Sequence, residues 1–183
     1  MANGTATATA ITYPWQQPQP PQFGATEAWS ENILGPVAFY LYDLQITAST
    51  ANPSLPQQVA PKNSPYIIAT NEPFSLTVKI KFNESPLTKL LLCLGTKLEV
   101  TFCAEGCGGK ASETDLVATM TTQKDVFDYT LTYTGTPNGS GLTEGFYAIA
   151  AIAKVGPSSH PCANFLFGAG YLAGVFLQVY PAF

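Results

Sequence analysis

Two apolar segments near the C-terminus, Gly145 to Val155 and Phe165 to Tyr180, joined by a short Gly/Pro/Ser loop, set the tightest constraint on the fold. A strand with one wet face alternates apolar and polar residues, as Phe74-Ser75-Leu76-Thr77-Val78-Lys79-Ile80-Lys81-Phe82 does. The two late segments do not alternate. In the first, Tyr147, Ile149, Ala151 and Ala153 fall on one face and Phe146, Ala148, Ala150 and Ile152 on the other. Leu166 to Leu177 in the second is equally apolar on both sides. The pair reads as the last hairpin of a β-sandwich. Its outer side then needs a cover besides the sandwich core, either the chain's own N-terminal arm or a neighbouring subunit.

A chain of 183 residues suffices for one domain with a core plus an extension. Only 11% of its residues are charged, against roughly 25% in soluble domains generally. The surface must therefore be built from Thr, Ser, Asn, Gln and Pro, a balance that suits a surface protein or an assembly subunit. All eight cationic residues are Lys and the net charge is -4. Without the planar fork of Arg, and with an acidic balance, neither nucleic acid nor an anionic membrane surface is an expected partner. The most apolar run, Phe165 to Leu177, is 13 residues long, short of the ~20 that span a bilayer. Met1-Ala2-Asn3-Gly4-Thr5 shows no basic stretch followed by an apolar one, so it does not read as a secretory signal.

Residues 1 to 35 read as an extended arm, with the sandwich domain over residues 36 to 183. An Ala/Thr repeat, Thr5 to Ala10, precedes the Pro/Gln stretch Pro14 to Gln22, whose composition favours polyproline II over helix. The arm also carries Ile11, Tyr13, Trp15, Phe23 and Trp29, including both tryptophans of the protein, whereas solvating tails are poor in aromatics. It is expected to pack, either on its own domain or across a neighbour as in strand-addition assemblies.

Downstream, Val37 to Thr47 reads as a first strand whose alternation changes phase near Asp43, a sign of a β-bulge. Tyr66 to Thr70 reads as a short edge strand, and Lys97 to Phe102, Asp115 to Thr121 and Phe127 to Thr134 as further strands. Leu87 to Leu94 fits a helical turn or a strand equally, and Glu105 to Gly109 reads as a Gly-rich turn ending the strand before it. At the mouth of the penultimate strand stands Leu142-Thr143-Glu144-Gly145-Phe146-Tyr147, which resembles the tyrosine corner of immunoglobulin-like sandwiches. The resemblance implies an all-β, immunoglobulin-like sandwich of about seven strands; the Trp and Cys pair of antibody domains is missing, and a jelly roll is the rival fold. In the implied topology the loops holding Cys93 and Cys162 share one end, with Cys103 and Cys107 at the other. If oxidised, the expected pairs are Cys93 with Cys162 and Cys103 with Cys107; the alternative is four free thiols.

Residues that could carry chemistry are sparse. Cys103-x3-Cys107 lacks two further zinc ligands nearby. The single histidine, His160, stands two residues before Cys162 with Pro161 between them, which points to turn formation before a nucleophile pair. Glu113 with Asp115, and Asp125 with Asp128, sit at strand ends or turns as solvated charge. No enzymatic activity, cofactor or metal is expected. The reading is a structural subunit that associates into a homo-oligomer or filament through Tyr13, Trp15, Phe23 and Trp29 of the arm and Phe146, Ile152, Phe167, Tyr171 and Phe176 of the hairpin. The alternative is a monomeric immunoglobulin-like module binding a carbohydrate or protein partner.

Overall fold

In a computed structural model, residues 36–48, 66–108 and 110–182 are described. They form eight strands: β1 (Phe39–Ala48), β2 (Ile67–Ala69), β3 (Phe74–Phe82), β4 (Thr96–Cys107), β5 (Thr114–Thr121), β6 (Asp128–Gly135), β7 (Gly145–Ser158) and β8 (Gly168–Tyr180). One helix, α1 (Pro86–Cys93), links β3 to β4. The strands pair as a three-stranded sheet, β1-β3-β6, and a five-stranded sheet, β2-β8-β7-β4-β5. With β3, β4, β6, β7 and β8 as the B, C, E, F and G strands, this is the immunoglobulin-like arrangement, with β5 beside C and no D strand beside E. The jelly roll is set aside.

Alternation in the sequence becomes burial. Phe74, Leu76, Val78, Ile80 and Phe82 of β3 face Leu98, Val100, Phe102 and Ala104 of β4 and Tyr147, Ile149, Ala151, Ala153 and Val155 of β7 within one core cluster. Tyr147 is fully buried, and its hydroxyl donates to the Thr143 carbonyl at 2.8 Å, the local geometry of a tyrosine corner. The expected bulge is present: the β1–β3 register shifts between Tyr42 and Gln45, and Asp43 takes φ 56°. Its carboxylate meets Lys79 Nζ at 2.6 Å and accepts from the Gln45 amide.

The ambiguous Leu-rich stretch is helix α1. Ser85 caps it, its Oγ accepting from Thr88 N at 3.1 Å, and Pro86 occupies the first turn, where its missing N–H is not needed. At the other end Thr96 Oγ1 donates to the Leu91 carbonyl at 2.7 Å and Thr122 Oγ1 to that of Leu92 at 2.9 Å. Two buried threonines thus add a second donor to carbonyls that Leu94 N and Gly95 N already engage at 3.2 and 3.3 Å.

Three strand ends differ clearly from the sequence expectation, the first being β7, which runs through Gly156 and Pro157 to Ser158 instead of giving way to a loop after Val155. β4 does not end at the Gly-rich run, because Gly106 and Cys107 still pair with Tyr147 and Phe146, and a side chain at Gly106 would collide with the Ala111 carbonyl. β8 begins at Gly168, after a hairpin closed by Phe167 N donating to the Val155 carbonyl at 2.8 Å.

The corner yields a direct test. In Tyr147→Phe the Thr143 carbonyl, on an exposed residue, loses the donor from the buried ring, so stability should fall by about 0.5–1.5 kcal/mol. Urea unfolding should show a lower midpoint with an unchanged slope; an unchanged midpoint would mean that this bond contributes nothing.

Candidate assembly interface

The two sheets turn opposite chemistries outward. On the three-stranded sheet, register aligns Thr47, Ser75 and Thr134 in one row, Gln45, Thr77 and Thr132 in the next, then Tyr42, Lys79 and Thr130, then Tyr40, Lys81 and Asp128. Hydroxyls, an amide and paired charges make most of that face polar, with one aromatic pair, exposed Tyr40 and half-buried Tyr42, at its edge, ring centroids 5.8 Å apart. Lys79 Nζ also lies 5.8 Å from the Tyr42 ring centroid.

The five-stranded sheet is different. Across its outer face Val117, Thr101, Ile152 and Tyr171 form one row, and Cys103, Ala150 and Ala173 the next with Asp115 at the end. Then come Glu105, Ala148 and Phe176, and beyond them Cys107, Phe146 and Gln178. Phe146 and Phe176 stack at 5.4 Å with planes 18° apart. Tyr171 is 67% exposed, Phe176 55% and Phe146 40%, with Ile152 half-buried between neighbours. Small residues, Ala148, Ala150 and Ala173, floor the space between the aromatic pair and the Ile152–Tyr171 row. In all of β7 and β8 the one charged side chain is Lys154, at the end of the patch, where it lies 3.6 Å from Glu99, itself 2.7 Å from Lys97.

Four of the expected hairpin residues, Phe146, Ile152, Tyr171 and Phe176, therefore share one outer face. Phe167 does not join them. It is half-buried, packs on the core and meets Phe165 edge-on at 5.0 Å. Tyr13, Trp15, Phe23 and Trp29 lie outside the described residues. Val117, half-exposed at the far side of the Ile152–Tyr171 row, was not anticipated; its outward position in the alternation of β5 was the available signal.

All four cysteines are free thiols. The Cys103–Cys107 pairing is corrected: both lie on β4, and four residues of extended chain separate their Cα atoms by ~13 Å, beyond disulfide reach. The loops holding Cys93 and Cys162 do meet, through Ser159 N donating to the Gly95 carbonyl at 3.3 Å, yet both thiols stay unbonded. His160 serves its turn, with Nδ1 accepting from Cys162 N at 3.2 Å. Among the described residues no cluster of three or more His, Cys, Asp or Glu side chains is placed to hold a metal, and no helix is long and apolar enough to cross a membrane.

No protein-family model matches the chain, and no curated protein matches it in sequence. Among solved structures, AggA, the major subunit of aggregative adherence fimbriae type I from Escherichia coli, is similar over 82% of this chain and 100% of its own. The TM-score is 0.36 and the identity 9%, values that assign neither family nor activity.

Cys103 sits at the β4 side of this face, between Asp115 and Ala150, and its thiol is pushed up to about 11, first by burial and then by the Asp115 carboxylate across the strand. Against the ordinary value of 9.0, its thiolate near pH 8 is scarcer by about a hundredfold. Iodoacetamide at that pH should modify the exposed Cys93, Cys107 and Cys162 well before Cys103, as read by peptide mass spectrometry. Equal rates at all four would show that Cys103 is not shielded.

Proposed function

We propose that the protein is a non-enzymatic structural subunit whose copies associate into an oligomer or filament, using the N-terminal arm of one copy and the outer face of the β7–β8 hairpin of the next. The observation that carries this reading is the contrast between the two sheets: one presents mainly Thr, Ser and ion pairs beside a Tyr40–Tyr42 pair, the other an apolar strip with a stacked Phe146–Phe176 pair, Tyr171 and Ile152. An exposed aromatic cluster rimmed by polar residues is the ordinary mark of an interaction site. The arm, rich in aromatics and poor in charge, has matching chemistry. Nothing in this reading requires a cofactor or a catalytic group.

The test is light scattering after size exclusion, with negative-stain imaging of the same fractions, on the full chain and on Phe146→Ser/Phe176→Ser. The full chain should run as a large species and the variant as a smaller one that still unfolds cooperatively, its stability lowered by about 1–3 kcal/mol because both rings are only half exposed. Trp15→Ser/Trp29→Ser should likewise reduce the mass. A full chain that remains monomeric at every concentration would overturn the proposal.

A further inference from the structure

Strand β8 is fully partnered on one side only. β7 pairs with it from Gly168 to Val179, whereas on the other side β2 meets only Gln178, Val179 and Tyr180. Gln178 N donates to the Tyr66 carbonyl at 2.7 Å, and there the ladder stops. From Gly168 to Leu177 no strand among the described residues pairs with that edge. Peptide groups alternate sides along a strand, so Phe176, two residues before Gln178, turns its N–H toward the same open side.

The edge is shaped as well as unpaired. An open groove of about 560 Å³ lies beside it, lined by Leu44, Ile67, Phe146, Val175 and Phe176. The β7–β8 register shifts at this point, and Gly174 takes φ 126°, a conformation that disfavours any side chain, although a Cβ there would touch nothing. The glycine is thus required by the bend of the backbone and not by crowding. The chain's own β2 is poorly suited to continue along the edge, because Pro65 directly precedes Tyr66 and Pro61 stands four residues earlier, and neither has an N–H to give a ladder.

Within the arm, Thr5-Ala6-Thr7-Ala8-Thr9-Ala10-Ile11-Thr12-Tyr13 is the longest run free of Pro, Gly and charge. Nine extended residues reach ~30 Å at ~3.3 Å each, close to the length of the open edge. Pro14 to Gln22 follows, nine residues with four prolines, by composition a semi-rigid spacer of ~28 Å.

We propose that the open edge of β8, Gly168 to Leu177, accepts an added strand, and that the donor is the Thr5–Tyr13 run of a second copy of this chain. This rests on the self-assembly reading and names the contact that makes it directional. The test compares the full chain with Thr9→Pro, which removes a ladder donor within the run, and Gln17→Pro, outside it, by light scattering and by hydrogen exchange over residues 172 to 178. The full chain and Gln17→Pro should assemble, with the Phe176 amide protected; Thr9→Pro should lose the assembly, and that amide should exchange at least tenfold faster. If Thr9→Pro assembles with its amide still protected while Phe146→Ser/Tyr171→Ser does not assemble, the strand-addition inference fails and the self-assembly reading survives. Equal loss in Gln17→Pro would overturn the assignment of the donor run. A monomeric full chain would end both, and a protected Phe176 amide in such a monomer would place the donor in its own domain.

Discussion

The backbone ladder on both sides of β7 is the constraint on which the rest of this sandwich depends. β7 is the strand that joins β4 to β8, and its inward row, Tyr147, Ile149, Ala151, Ala153 and Val155, is at most 2% exposed. At one end Tyr147 ties the strand to the Thr143 carbonyl; at the other, Ser159 Oγ donates to the Leu94 carbonyl at 3.0 Å beyond helix α1. Fixing those two ends fixes the register of the sheet. Because side chains alternate strictly, it also fixes which residues must point outward. Phe146 and Ile152 are outward because Tyr147 and Ala151 are inward.

That outward set is apolar enough to invite contact but too small to hold one alone. Full burial of a large apolar side chain contributes about 1.5–3 kcal/mol, so three half-exposed rings supply roughly 2–5. Association gives up about 4–15 kcal/mol of rigid-body freedom. Phe146, Tyr171 and Phe176 therefore need company. In the proposed assembly the arm's aromatics supply part of it and the ladder along the β8 edge the rest. The cluster of Lys97, Glu99 and Lys154 borders the patch without adding much, since exposed ion pairs contribute less than about 1 kcal/mol each. Lys97, then Lys154, hold the Glu99 carboxyl below its ordinary value, so what stabilisation the cluster gives is present above the usual carboxylate range and fades as pH falls through the lowered value.

Strands with a single buried face were legible from alternation: β3 begins and ends where its pattern does, and the phase change at Asp43 located the bulge. The tyrosine corner was legible because Leu142, Gly145 and Tyr147 have fixed spacing. Helix α1 was not, although Ser85 and Pro86 spelled its start, because a short Leu-rich run satisfies either period. The two apolar faces of β8 misled in a specific way. Gly168 and Gly170 are small because Phe39 and Leu41 of β1 press on that strand from the opposite sheet, so a face that looked merely featureless is a packing surface. Phe167, expected in the interface, precedes the first residue of β8, so the alternation of that strand does not set its direction and it packs on the core. The cysteine pairing on β4 failed because proximity in sequence along an extended strand is distance in space.

The geometry also bears on what kind of assembly this chain would build. Two outer faces packed against each other form an isologous contact, which closes at two copies. A donor run and an acceptor edge at different places on the same chain form a heterologous contact, which propagates until a rotation closes it or continues as a filament. With the apolar face covered in that way, what remains outward is the sheet of Thr, Ser and paired Lys and Asp on β1, β3 and β6, together with Tyr40 and Tyr42 of β1. Edge strand β6 presents Asp128, Thr130, Thr132 and Thr134 there, polar side chains that suit an edge left in water. In the proposed assembly one sheet would bind its neighbour while the other, more polar one stays in water, a division that would favour directional growth over lateral clumping.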